Sequence, residues 1–99
     1  MARLVEFSRR STGQLHKILS FYDERNGSND YSRRLLSCLM DEINRIAIMP
    51  TASSPSTRED IRFFYVMDFV VVFRYNSQKV TILGIRSTAQ KPLKLYMKR

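Results

Sequence analysis

IRFFYVMDFVVVFRYNSQKVTILGIR, residues 61–86, decides the fold of this chain. The stretch is rich in β-branched and aromatic residues, which favour extended strands over helices. It divides into three runs, IRFFYV, FVVVFRY and KVTILGIR, and the separators MD and NSQ are short enough for hairpins. The stretch therefore predicts three consecutive antiparallel strands.

Two helices are predicted upstream of these strands. Residues 9–25 follow Ser8, whose hydroxyl can cap a helix, and they carry apolar side chains at three- and four-residue spacing. Gly27 suits the left-handed residue that often closes a helix. Residues 30–49 repeat apolar positions with the same period, and Pro50 ends them because the residue before a proline is pushed out of helical space.

The remaining segments complete the predicted fold. Residues 2–7, ARLVEF, alternate as a short strand does, whereas residues 51–60, TASSPSTRED, are polar and are expected to be a loop that packs little. The order β-α-α-β-β-β predicts an α+β fold in which a two-helix hairpin packs on one face of a mainly antiparallel four-stranded sheet. Because the chain is short, we expect residues 1–99 to form a single domain. The hairpins order only the last three strands, so the place of the first strand stays open.

Composition and charge narrow the classes of function. The net charge is +8, and residues 79–99 hold six basic side chains and no acidic one, which favours polyanionic partners. The single cysteine, Cys38, excludes a disulfide framework, and no apolar run is long enough to cross a membrane, so we expect a cytoplasmic protein without membrane contact. No glycine-rich phosphate loop or cluster of metal ligands is present in the sequence, and His16 lies off the apolar stripe of its helix. We therefore expect no cofactor and no metal.

The order of these elements resembles that of the RelE/ParE superfamily, the toxins of bacterial and plasmid type II toxin-antitoxin modules. The resemblance is carried by the helix-ending Pro50, the strand IRFFYV with its early arginine, the strand DFVVVFRY and the basic segment after the last strand, and it covers nearly the whole chain. It implies a RelE/ParE-like fold and a toxin that arrests growth and stabilises plasmids. It also implies a cognate antitoxin, expected to be acidic, whose C-terminal segment wraps the toxin and whose N-terminal part binds operator DNA. The toxin would then meet DNA only indirectly, through the antitoxin.

Two mechanisms occur in this superfamily. RelE-like members cut messenger RNA on the ribosome, which requires a general base, a general acid and cations for the phosphate. ParE-like members act on DNA gyrase and stabilise its cleaved DNA complex. The RNA-cutting members typically carry arginines at the positions that are Val70 and Gln90 here. The resemblance therefore favours a ParE-like inhibitor of gyrase, with a ribosome-dependent mRNA endonuclease as the first alternative and a non-toxic binding module of the same fold as the second. Whether the chain is an enzyme stays open.

The candidate site residues are basic side chains and aromatic neighbours on the last strands and the terminal segment. If the chain cuts RNA, the catalytic set implied is Arg62, Arg86, Lys91, Lys94 and Tyr96. The candidates for binding the target or the antitoxin are Arg62, Phe64, Arg74, Arg86, Lys94 and Tyr96. Strand alternation puts Arg62 and Phe64 on one face and Phe63 and Tyr65 on the other. If the second pair meets the helices, Arg62 lies on the open face with Arg74. The alternative for the terminal residues is a solvated basic tail.

Overall fold

The structure is a computed structural model that describes residues 2–88. A strand, two helices and four further strands follow one another along the chain, in the predicted α+β order. The elements are β1 Leu4–Phe7, α1 Arg9–Asn26, α2 Asp30–Ile48, β2 Ser54–Pro55, β3 Ile61–Val66, β4 Phe69–Tyr75 and β5 Lys79–Ser87, with a 3-10 turn at Pro50–Ala52. The sheet thus has five strands where four were expected.

The ends of the helices lie where the local signals predict them. The Ser8 side-chain oxygen accepts a hydrogen bond from the backbone N–H of Ser11 at 3.1 Å, which satisfies one of the free donors at the start of α1. Gly27 closes α1 with a positive φ of 66°, a conformation that costs glycine little. α2 stops at Ile48, two residues before Pro50, and the Met49 N–H still donates to the Arg45 carbonyl at 3.0 Å.

The sheet order is β1-β5-β4-β3-β2, so the first strand lies beside the last. The two predicted hairpins are confirmed as antiparallel pairs, whereas β1 runs parallel to β5. Arg3 holds β1 in place: its backbone N–H donates to the Ala47 carbonyl at 2.9 Å and its Nε donates to the Asn76 carbonyl at 2.6 Å. The long connection that a parallel pair requires is made here by both helices and strands β2 to β4.

The expectation that residues 51–60 form a loop that packs little holds only in part, because most of them are exposed but a short strand and one buried residue lie among them. Ser54 and Pro55 form β2, which pairs with β3 at the edge of the sheet, where a proline is tolerated. Ser56 is only 4% exposed. Its hydroxyl donates to the Ile61 carbonyl at 2.6 Å, and its oxygen accepts from the Arg58 N–H at 3.1 Å. These bonds stabilise a compact turn that the polar composition of the segment does not predict.

The two faces of the sheet carry separate apolar clusters. The face that meets the helices packs α2 residues Leu35, Leu39, Ile43 and Ile46 against strand residues Phe64, Val66, Phe69, Val71, Phe73, Val80, Ile82 and Ile85. The opposite face, called the open face here, holds Ile61, Phe63, Val70 and Val72, with Leu83 packed against them. These four open-face side chains are at most 6% exposed. The open face therefore does not present a bare apolar surface to a partner.

Candidate functional site

Two adjoining cavities lie beside the N-terminal half of α1. The first, of about 320 Å³, is lined by open-face residues and by the start of α1, and it includes Arg10, Arg74 and Arg86. The second, of about 280 Å³, lies between α1 and the end of β5, and it includes Arg10, Lys17 and Arg86. Because the two cavities share lining residues, they form one concave surface. We call it the basic groove, defined by Arg10, Lys17, Arg74 and Arg86.

Polar side chains of α1 bring that helix against the edge of β5. β1 pairs only with the first half of β5, so the edge of the second half needs other hydrogen-bond partners. The Ser11 hydroxyl donates to the Ile82 carbonyl at 2.9 Å. Farther along, the Ile85 N–H donates to Gln14 Oε1 at 2.9 Å. These bonds satisfy backbone groups at the edge of β5 and hold the basic first turn of α1 beside the sheet.

A β-bulge shapes the floor of the groove. The pairing of β4 with β5 shifts register between Val72 and Phe73, so that Val72 faces Gly84 and Phe73 faces Ile82. Leu83 is the extra residue on β5, and such a bulge locally increases strand twist. A Cβ atom on Gly84 would lie 3.3 Å from Gln14 Oε1, tighter than ordinary contact. The absence of a side chain at Gly84 therefore lets α1 approach the strand closely.

The groove is strongly positive. Among residues 2–88, no aspartate or glutamate lines either cavity. The nearest described acidic partner of a groove arginine is Asp60, whose carboxylate lies 3.6 Å from Arg74 Nε and 3.3 Å from Arg58 Nε, so two arginines share it. The Arg74 side chain is still 54% exposed. A concave site that is lined mainly by positive charge raises the local concentration of anions.

The groove can bind charge, but its lining is poorly suited to moving protons. An arginine stays protonated at all physiological pH values, so it neutralises an anion and donates hydrogen bonds without acting as a base. The other lining residues are serine, glutamine, glycine and apolar residues, with Lys17 at one end. Within residues 2–88 no group of His, Cys, Asp and Glu side chains could hold a metal ion. The arrangement is that of an anion-binding surface.

Two of the predicted site residues come together in this groove, and two do not. Arg74 and Arg86 line the same cavity. The condition under which Arg62 would lie on the open face is not met, because Phe64 and Val66, which share its face of β3, pack against the helices. Arg62 Nη2 donates to the Ser53 carbonyl at 2.5 Å, and its Nε donates to Ser53 Oγ at 3.2 Å.

These contacts change the roles of Arg62 and Phe64. Arg62 ties β3 to the turn after α2, as its further bond to the Thr51 carbonyl at 3.3 Å also shows. Phe64 is 4% exposed in the core, so it has no surface for a partner. Lys91, Lys94 and Tyr96 lie outside the described residues, as does Gln90. His16 is exposed, as expected.

Sequence reasoning missed Arg10 and Lys17. The signal was present in SRRSTGQLHK, residues 8–17, where two arginines directly follow the capping serine. The first turn of a helix normally favours acidic residues, since the helix carries a partial positive charge there. The first turn of α1 contains no acidic residue. The basic pair Arg9 and Arg10 therefore departs from the usual preference of a helix N-terminus.

Comparisons with known proteins agree with this architecture. A family model described as the ParE toxin of the type II toxin-antitoxin system, parDE, matches residues 5–92. Among solved structures, the chain is similar to one from the chromosomal ParDE TA system from P. aeruginosa, with a TM-score of 0.69 and 14% identity over 87% of this chain and 96% of that chain. No curated protein sequence matches. At this identity the structural likeness shows the fold alone, and the family match covers most of the chain.

Proposed function

Because the chain belongs to the ParE toxin family of type II toxin-antitoxin systems, we propose that it arrests growth by acting on DNA gyrase and that a cognate antitoxin neutralises it. The observation that carries the proposal is the basic groove, which offers arginines for binding and lacks a proton-transfer pair among its described lining residues. Trapping an enzyme in its DNA complex requires tight binding at the right stage of its cycle, not a chemical step by the toxin.

The alternative of RNA cutting is less well supported by the same surface. The position at which RNA-cutting relatives typically carry an arginine is Val70, which lies directly opposite Arg86 across the β4-β5 pair. Val70 is 6% exposed and belongs to the open-face apolar cluster. The arginine expected at this position in an RNA-cutting relative is therefore replaced by a buried valine, which cannot stabilise the charge of a phosphate transition state. This local pairing favours binding over cleavage.

Charge also supports neutralisation by an acidic antitoxin. The chain carries a net charge of +8, so an acidic segment would be attracted and its association would be accelerated at low salt. The apolar residues of the open face are already buried, so they do not supply the anchors of such a complex. Exposed apolar side chains do occur on the helices, at Phe21 and Met40, and Tyr65 is exposed on the open face beside that buried cluster. Such side chains are suitable anchors for a segment that wraps the toxin.

One set of experiments tests the proposed function. The chain is expressed alone and with the product of its neighbouring reading frame, and the purified protein is assayed for trapped gyrase-DNA cleavage complexes and for messenger RNA cleavage on ribosomes. We expect growth arrest by the chain alone, relief by the antitoxin, and trapped gyrase complexes without RNA cleavage. RNA cleavage without gyrase trapping would replace gyrase by the ribosome, and growth without any defect would favour a non-toxic binding module.

A further inference from the structure

We infer, on the premise that the toxin acts on gyrase, that the basic groove holds phosphate groups of a nucleic-acid backbone, so that the toxin contacts the DNA of the gyrase complex directly. The expectation from the family resemblance was that DNA is reached only through the antitoxin. The structure instead places a concave set of cations on the toxin itself, with no acidic side chain among the lining residues that it describes. Three features of the groove point to phosphate as its ligand.

The first feature is the number of hydrogen-bond donors. A guanidinium has five N–H donors, whereas a carboxylate has two oxygens with about four acceptor positions. Arg10, Arg74 and Arg86 line one cavity of about 320 Å³, together with the side chains of Ser8 and Gln14. Arg74 already pairs with Asp60, yet its side chain is 54% exposed, and three guanidinium groups in one cavity carry more positive charge than one further carboxylate could offset. A polyanion with several oxygens for each charge, such as a phosphate backbone, matches them better.

The second feature is the placement of charge against the field of the helix. Arg9 and Arg10 occupy the first turn of α1, and no acidic residue offsets them there. The positive end of the helix repels both side chains, so their presence lowers the stability of the free protein. An anion bound at this point relieves that repulsion, and helix N-termini are established phosphate sites. The electrostatics at the start of α1 therefore favour a bound anion.

The third feature is the length of the groove. Arg10 and Lys17 lie seven residues apart on α1, which corresponds to about 10 Å along the helix axis. A strand of duplex DNA carries one phosphate for about every 3.4 Å of its axis. The groove can therefore span two or three successive phosphates. A row of cations at this spacing fits a regular polyanion better than an isolated acidic side chain.

Direct DNA binding by the purified toxin, without gyrase, tests this inference. The groove variant carries Arg10→Gln, Arg74→Gln and Arg86→Gln. Its matched control removes the same charge from three exposed arginines of α2, with Arg33→Gln, Arg34→Gln and Arg45→Gln. The affinity for a short labelled DNA duplex is measured by fluorescence anisotropy between about 50 and 200 mM salt.

We expect the groove variant to bind at least about tenfold more weakly than the control, with a salt dependence shallower by about three units of log K per log salt. Equal affinities of the groove variant and the control would overturn the inference, because net charge alone would then explain binding. Loss of affinity for the antitoxin with DNA affinity retained would also overturn it and would assign the groove to an acidic peptide.

Gyrase trapping, measured in parallel, separates this inference from the proposed function. If wild-type toxin traps gyrase and the groove variant does so with equal potency, the target stands and the phosphate contact is refuted. If wild-type toxin traps no gyrase complex at any concentration, the target itself is refuted, together with the contact to gyrase-bound DNA. Reduced trapping by the groove variant, with the control variant unaffected, supports both.

Discussion

Replacing Arg10 by glutamine should stabilise the protein. Arg10 lies in the first turn of α1, where a cation costs about 0.3–1 kcal/mol. Arg74 and Arg86 line the same cavity, and like charges about 10 Å apart in water repel by about 0.4 kcal/mol per pair. Glutamine and arginine have similar helix propensities, so the substitution changes the charge and little else. The expected gain in the free energy of unfolding is about 1 kcal/mol at low salt, or about 4–8 °C in Tm.

The same substitution at the other end of α1 provides the control. Arg25 lies in the last turn, where the helix carries a partial negative charge, and its guanidinium lies 6.0 Å from the centre of the Phe21 ring. Arg25→Gln should therefore lower stability by about 0.3–1 kcal/mol. Urea unfolding of both variants at low and high salt measures the difference, which should shrink in high salt because screening shortens the range of charge interactions. A midpoint for Arg10→Gln equal to or below that of wild type would refute the electrostatic reasoning.

Three further substitutions test side-chain contacts of the fold, one of them, at Gln14, within the groove. Arg62→Ala should lower stability by about 1–2 kcal/mol, because its bonds to the turn after α2 are lost, and should leave gyrase trapping intact; loss of trapping by folded protein, checked by circular dichroism, would return Arg62 to the site. Gln14→Leu should cost about 1–3 kcal/mol in thermal melting, because the Ile85 N–H loses its acceptor, whereas Gln14→Glu should retain most of the stability; equal melting temperatures for the two variants would contradict this. Ser56→Ala should cost about 1 kcal/mol and increase hydrogen exchange in β2, and unchanged exchange would show that the turn does not depend on this hydroxyl.

The features that the sequence predicts correctly depend on neighbours along the chain. Ser8 caps α1 through a residue three positions away, and Gly27 closes the same helix through its own backbone conformation. The hairpins between β3, β4 and β5 are joined by short separators, so each strand has its partner close in sequence. In these cases the residues near one another in the chain determine the local structure. The order of helices and strands, on which the family resemblance depends, could therefore be predicted.

The features that the sequence does not predict depend on distant contacts. β1 pairs in parallel with β5 across most of the chain, and β2 is two residues long, too short to produce a pattern. The sequence also does not show which face of β3 meets the helices. Phe63 and Phe64 are 5% and 4% exposed, so both faces of that strand are apolar and alternation alone does not show which one meets the helices. The face on which Arg62 lies therefore stayed open at the level of the sequence.

Part of the groove can be predicted from the sequence, and the part that depends on distant contacts cannot. Arg74 and Arg86 lie on strands joined by a hairpin, so strand pairing alone brings them near one another. Arg10 reaches them only because α1 packs along the free edge of β5, through hydrogen bonds that join residues 71 positions apart. A sequence pattern does not contain that contact. The basic first turn of α1 was the only local sign of it.

The most direct test of the groove as the working surface is its effect on gyrase itself. The toxin concentration that gives half-maximal trapping of the gyrase-DNA cleavage complex is measured for Arg74→Gln/Arg86→Gln and for the charge-matched Arg33→Gln/Arg34→Gln. The account predicts that the groove variant needs a concentration about tenfold higher or more, whereas the control stays close to wild type. Equal concentrations for the two variants would contradict it.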